Sequence, residues 1–207
     1  MSLTLRFYVK KILSFIHQFQ KNNMTTFHLI YSDYQKYKKY GSNFFVILFF
    51  TQGFWATFQY RIAHFIHVNL RIQPFRFLFM GVMYIWRKVI EITTGISIPA
   101  SAQIGSSFYI GHFGGIFLNS NAILGTNCNI SQGVTIGVSG QEDKRGVPVL
   151  GNNIYIGANS VVVGKITIGD NVLIGACSLV TIDAPENSVL LGVPAKIISH
   201  NSSKGYI

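Results

Sequence analysis

From residue 98 onward the chain repeats every six positions. The segments IPASAQ, IGSSFY, IGHFGG, LNSNAI, LGTNCN and ISQGVT are followed by LGNNIY, IGANSV, VVGKIT, IGDNVL and IGACSL. Each opens on Ile, Leu or Val, often followed by Gly. The fifth position is apolar or small at Ala102, Ala122, Cys128, Val134, Ile154, Ile166 and Val172. Such a period predicts a parallel β-helix, in which short strands stack coil on coil with the first residue of each hexad inward. Gly, Asn and Asp then serve the corners, where left-handed backbone angles are common. Two irregularities break the pattern. The register slips by two residues between Ile110 and Leu118, just after His112, and VSGQEDKRGVPV (138–149) interrupts the hexads. A repeat is economical structure, so function is expected where it is interrupted.

Before the repeat the pattern is helical. FHLIYSDYQKYKKYG places Ser32 as a cap ahead of a Tyr- and Lys-rich turn, with Gly41 as the stop. SNFFVILFFTQGFWATFQYRIAHFIHVNL and PFRFLFMGVMYIWRKVIEITTG read as two long segments, apolar around much of their circumference. Pro74 opens the second and Gly95 closes it. The expected organisation is an α-helical region over 1–95 and a β-helix over 96–207, with an inserted loop at 138–149.

Composition sharpens this picture. Residues 1–91 hold twelve Lys or Arg against two Asp or Glu, whereas residues 92–207 hold five of each. A first half this basic points to an anionic partner. The inner face of the membrane fits better than nucleic acid, for which no binding module is visible. The apolar runs FFVILFF and FLFMGVMYIW fall short of a membrane span. MSLTLRFYVKKILSFIHQF has lysines within its apolar stretch and no small-residue cleavage site, so no signal peptide is expected. Cys128 and Cys177 form no disulfide framework, which suits a reducing, cytoplasmic compartment. Cys128 reads as a core filler, and Cys177 as packing rather than a nucleophile, because nothing nearby in sequence would activate it. His64 and His67 lack a third metal ligand.

The combination of YRIAHFIH, IGHFGG, ISQGVTIG, IGDNVLIGACSLV and GVPAKII resembles the serine-acetyltransferase-like branch of the hexapeptide-repeat acyltransferases. The likeness runs over about residues 27 to 198. It implies a mainly β fold, a left-handed β-helix behind N-terminal helices, although ordinary crossover rules would give the opposite hand. It also implies a homotrimer or a dimer of trimers, and acetyl-CoA as co-substrate in the groove between neighbouring prisms, with no metal required. Position by position, His112 matches the catalytic histidine. Thr135 to Gly137 match the turn whose amides face the thioester. Ala158 and Ala176 match small residues along the CoA arm, and Lys196 a basic position near the nucleotide phosphates. Lys144 and Arg145 are further candidates for the phosphates or simply solvated loop residues.

The resemblance has departures. The family's Asp-His pair reads Gly111-His112 here, its earlier aspartate falls at Ser97, and its loop Arg-His reads Arg145-Gly146-Val147-Pro148. IGHFGG, the nearby LNS and KRGVP look more like the capsule and exopolysaccharide acetyltransferases of bacteria. The leading expectation is therefore O-acetylation of a sugar hydroxyl, with a carbohydrate acceptor in surface polysaccharide biosynthesis and peripheral contact with the inner membrane. The alternatives are a serine O-acetyltransferase of cysteine biosynthesis and a non-enzymatic solenoid scaffold in which His112 is incidental. Acetyl transfer needs a base, an oxyanion site and alignment of the reactants. His112 suits the first role at near-neutral pH. Ser97, Asn119 or a backbone carbonyl is the expected orienter of its ring, and the Gly137 and Val138 amides the oxyanion donors.

Overall fold

A computed structural model describes residues 25–70 and 72–207; the segment read as lacking a signal peptide lies outside them. Among the described residues four helices come first: α1 (Thr26–Lys39), α2 (Phe44–Phe50), α3 (Gln52–Asn69) and α4 (Gln73–Thr94). Thr25, not Ser32, caps α1 by accepting from the His28 amide, while the Ser32 hydroxyl donates back to Leu29 O within the helix. The apolar stretch expected as one helix breaks at Thr51, whose extended backbone separates α2 from α3. Its hydroxyl donates to Val46 O and so closes the end of α2. Pro74 and Gly95 bound α4 as expected, with Gly95 at φ +66°.

Fifteen strands follow, arranged as three sheets. β1 (Ile96–Ser97), β4 (Ile116–Leu118), β7 (Thr135–Gly137), β10 (Val161–Val163) and β13 (Leu179–Val180) form the first. β2 (Gln103–Ile104), β5 (Ile123–Leu124), β8 (Val149–Leu150) and β11 (Thr167–Ile168) form the second. β3 (Tyr109–Ile110), β6 (Asn129–Ile130), β9 (Tyr155–Ile156), β12 (Leu173–Ile174) and β14 (Val189–Gly192) form the third, closed by the antiparallel β15 (Ala195–Ser199). Consecutive strands visit the three sheets in turn and pair in parallel with the coil below, giving a three-sided β-helix. The hexad reading is met at the side-chain level. Ile104, Ile110, Leu124, Ile156, Ile168 and Ile174 are fully buried, as are the fifth-position residues Ala102, Ala122, Val134, Ile154 and Val172. Cys128 is among this core too, and burial pushes its thiol up to about 12.

One corner column carries an asparagine ladder. Asn127, Asn153, Asn171 and Asn187 all take positive φ, and the Nδ2 of each of the first three donates to the Oδ1 of the next. Asparagine tolerates the left-handed region, and stacking lets its amide satisfy its neighbour's. Lys36 of α1 donates to Asn127 Oδ1 at the start of the ladder. Along the same column the C-terminal tail runs back towards the helices, with Ser203 bonded to Asn171 O and Asn153 O.

The helices are fixed to the first coil by a buried ion pair. Arg61 on α3 donates to both carboxylate oxygens of Asp33 on α1, at 2.8 and 3.1 Å. Its remaining donors reach Ile104 O and Gly105 O, and Asp33 Oδ1 also accepts from the Phe108 amide. Both side chains are 1% exposed. Removing one partner of such a pair leaves an uncompensated buried charge. Arg61→Met is therefore expected to lower unfolding free energy in urea by about 3–5 kcal/mol. The double change Asp33→Leu with Arg61→Met is expected to recover much of that loss; additive losses would show that the two residues act independently.

Candidate active site

His112 stands on the corner between β3 and β4, where two residues beyond the hexad are inserted. Gly114 and Gly115 absorb them at φ +101° and +66°. The end of α4 holds this turn from outside. The Gly114 amide donates to Thr94 O and the Ile116 amide to Gly95 O, each at 2.9 Å. The His112 side chain is exposed, beside the exposed Phe113. The slip in register is thus a built turn that pushes an imidazole out of the prism.

The same corner recurs in every coil, and it lines up several of the candidates. Below His112 come Gly133, then Ala158 and Asn159, then Ala176 and Cys177. The Asn159 amide bonds to Gln132 O and the Cys177 amide to Ala158 O. Ala158 is half-buried and Ala176 exposed. The column is closely stacked: a Cβ on Gly157 would lie 2.5 Å from the Ala176 amide nitrogen. Lys196 is exposed on β15, opposite Leu191, at the far end of the third sheet. β15 lies five strand spacings from β3 in that sheet, which places Lys196 about 24 Å down the edge from the first coil. A smooth edge with an imidazole at one end and an ammonium at the other suits an extended ligand.

Other candidates lie elsewhere. Gly137 ends β7 and Val138 follows it, so both sit at the opposite edge of the first sheet from His112, as does Asn119 at the end of β4. Within one chain the expected oxyanion amides and the expected base are therefore separated by the width of a sheet. Asn119 Oδ1 accepts from the Asn121 amide, and the Ser97 hydroxyl donates to Glu91, so among the described residues neither bonds to His112. The orienter of the ring expected from the sequence is not formed by these side chains in the single chain. Next to Val138 the loop roofs a groove of about 560 Å3 lined by Ser101, Asn121, Ile123, Arg145 and Lys165. Lys144 ends the single 3-10 turn Glu142–Lys144 of that loop. Among the described residues no cluster of His, Cys, Asp and Glu could hold a metal. His64 instead bonds through Nδ1 to Ala100 O, 2.8 Å away, and burial shifts its pKa downward.

Glu91 is the feature that sequence reasoning missed. Its carboxylate accepts from Ser97 Oγ at 2.7 Å and from Lys88 Nζ, and lies 3.2 Å from Arg87 Nε. Burial pushes its carboxyl up, but the bonds from Lys88 and Ser97 and the charge of Arg87 outweigh it and hold it below its usual value. A carboxylate thus stands at Ser97, delivered by α4 instead of by the strand. The sequence did carry a signal, since Glu91 is the only acidic residue between Asp33 and Glu142.

A family profile described as "Bacterial transferase hexapeptide (six repeats)" matches residues 148–181. A serine acetyltransferase of Helicobacter pylori strain J99 is 33% identical over 74% of this chain and 85% of its own length. One from Synechococcus elongatus is 35% identical over 70% of this chain, which spans only 57% of that relative. Among solved structures, serine acetyltransferase of Neisseria gonorrhoeae in complex with serine superposes with a TM-score of 0.72 at 28% identity. That match covers 89% of this chain and 73% of the other. Serine acetyltransferase of Brucella abortus in complex with coenzyme A gives 0.72 at 25% identity, covering 89% and 72%. These matches overturn the sugar acceptor and the place in capsule biosynthesis expected from IGHFGG and KRGVP. At Ser97, where the resemblance puts an aspartate, the structure places the Glu91 carboxylate of α4 within 2.7 Å of the hydroxyl, a proximity that reading motif positions singly does not reveal.

The junction between α4 and the His112 turn gives a direct test. A Cβ on Gly95 would lie 3.0 Å from Gly115 N and 3.1 Å from Gly114 Cα, on top of a positive φ. Gly95→Ala is expected to lower the melting temperature, by about 1–2 kcal/mol of stability. Gly81 lies in α4, and a methyl group there would meet nothing within 4 Å. Gly81→Ala is expected to leave stability unchanged or raise it by up to about 1 kcal/mol. Calorimetry on the two variants reads the opposite signs.

Proposed function

We propose, from the premise that this chain belongs to the serine acetyltransferase family of hexapeptide-repeat transferases, that it moves an acetyl group from acetyl-CoA to the hydroxyl of serine. The observation that carries this reading is the single edge that aligns His112, Ala158, Ala176 and Lys196 in a family whose member has been solved with coenzyme A. The thiol arm would lie along the small residues of a left-handed coil, with the thioester at His112 and the phosphates towards Lys196.

In the reaction the serine hydroxyl attacks the thioester carbonyl while His112 takes its proton. The tetrahedral oxyanion collapses with cleavage of the carbon–sulfur bond. The departing thiolate then takes the proton back from the imidazolium, so the histidine ends neutral and acetylserine and CoA leave. Positioned amide donors contribute most when they are fixed before charge develops. The Gly137 and Val138 amides can play this part only from a second copy. Prisms packed around a threefold axis would set one copy's His112 edge against the next copy's Val138 edge. Exposed Phe113 and Phe117 beside that edge suit such a contact. For the zwitterionic acceptor, Glu91 offers an anion to the ammonium, and Arg145, from the Val138 edge of the neighbouring copy, would offer a cation to the carboxylate.

His112→Ala is expected to reduce acetyl transfer by roughly 10²–10⁴-fold while leaving the melting temperature unchanged, because the β-helix core does not use this side chain. Turnover within a few-fold of the parent would refute its role as base. Lys196→Glu is expected to raise KM for acetyl-CoA far more than it lowers kcat, since a contact remote from the thioester binds ground and transition states alike. The acceptor itself is tested by following CoA release and acetylserine formation by mass spectrometry with L-serine and acetyl-CoA. Saturable formation of acetylserine is expected, and CoA release no faster than hydrolysis would overturn the reading.

A further inference from the structure

The loop between β7 and β8 leaves the prism at Val138, and residues 138–145 are all exposed. A segment this open has little apolar burial to fix its shape. Two hydrogen bonds close its neck. The Ser139 amide donates to Gly146 O at 3.1 Å, and the Gly146 amide donates back to Ser139 O at 3.0 Å. Beyond the neck the chain folds back tightly, since a Cβ on Gly140 would overlap Lys144 O. The tip is the 3-10 turn Glu142–Lys144.

Lys165, from the corner between β10 and β11, reaches this loop from the next coil. Its own backbone is fixed, because the Ile166 amide donates to Gly164 O at 2.9 Å and the Ile166 side chain is buried. The Lys165 side chain is half-buried, and its stem packs against Gly146. A Cβ on Gly146 would lie 2.6 Å from Lys165 Cβ and 2.9 Å from Cγ, so this approach needs glycine. The ammonium then donates to Asp143 O in the turn at 3.0 Å. One side chain thus touches the loop at its neck and at its tip. Arg145 lies between those two points in sequence, and Arg145, Val138 and Lys165 line one groove.

We propose that Lys165 is a positioning residue, which holds the loop so that Arg145 and the Val138 amide face an acceptor bound at the next copy's His112. This rests on the parts given to Arg145 and Val138 in the acetyl transfer above. Lys165 itself is not asked to touch the acceptor. Groups that bind and polarise a substrate work only when fixed beforehand, and a misplacement of about 1 Å can cost on the order of a hundredfold. A bond from a charged donor, weakened here by partial exposure, favours the held shape of the loop by roughly tenfold.

Lys165→Met keeps the stem against Gly146 and removes the donor. It is expected to raise KM for serine about tenfold, with a smaller fall in kcat and with KM for acetyl-CoA and the melting temperature unchanged. The guanidinium of Lys165→Arg can reach the same carbonyl, so this variant is expected to return KM for serine to within about threefold of the parent. The loop is also read without turnover, by trypsin cleavage after Lys144 and Arg145 followed by mass spectrometry. Cleavage there is expected to be several-fold faster in Lys165→Met and to stay at the parental rate in Lys165→Arg. Equal cleavage of Lys165→Met and the parent would overturn the proposal, as would a KM for serine within about twofold of the parent. Both KM values rising together would overturn it too, and so would Lys165→Arg behaving like Lys165→Met. A parent protein that forms no acetylserine would refute the serine reading alone, because the cleavage rates still decide whether Lys165 holds the loop.

Discussion

The Arg61–Asp33 pair is the joint on which the rest of the molecule depends. A guanidinium in a dry site is tolerable only if its donors are satisfied, and here they reach one carboxylate and two backbone carbonyls of the first coil. Those carbonyls, Ile104 O and Gly105 O, lie at the exposed end of the β-helix, where a ladder would otherwise be open. Tyr60 and Tyr37 extend the same arrangement by donating to Ala102 O and Ile110 O. The helices therefore act as a cap that ends the repeat, and their orientation follows from which carbonyls are left unpaired. A solenoid needs such a terminal cover to stay soluble and in register.

Once the cap is fixed, the position of His112 follows. α3 and α4 pack on the first coil, and the left-handed residue at Gly95 turns the chain from α4 straight into β1. The last carbonyls of α4, left without intrahelical partners, are taken up by the amides of the His112 turn and of β4. The helix end thus supplies the acceptors that an irregular turn would otherwise lack. The same helix carries Glu91 one turn earlier and brings its carboxylate to Ser97. Structural closure and the candidate site are in this way parts of one junction, and α4 holds both the His112 turn and Ser97.

Much of the fold was legible because the hexad is a local rule. Each aliphatic residue points inward whatever its neighbours do, so Ile104 and Ile174 follow the same period although they lie in different coils and different sheets. The corners were legible for the same reason, since Asn127 and Asn153 take positive φ through their own side-chain chemistry. The helices were less so. Ser32 has the composition of a cap, but the first turn of α1 is set by Thr25, and Ser32 bonds within the helix. Nothing in FFVILFFTQGF marks Thr51 as a break, because the break serves the packing of α2 beside α1 and α3 rather than any local preference.

By itself the sequence determined the period, the inward residues, the corner chemistry and the unusual placement of His112 after a slip in register. It also determined the long basic stretch without a carboxylate. Only the tertiary structure decided which residues share an edge. It aligned His112 with Ala158, Ala176 and Lys196, and sent Gly137, Val138 and Asn119 to the far side of the first sheet. It also brought a carboxylate to Ser97 from a helix that motif reading treats as separate. The physical reason is that hexad chemistry fixes each residue's direction within its own coil. Proximity between a helix and a coil arises instead from the geometry of packing and from where unpaired backbone groups must find partners.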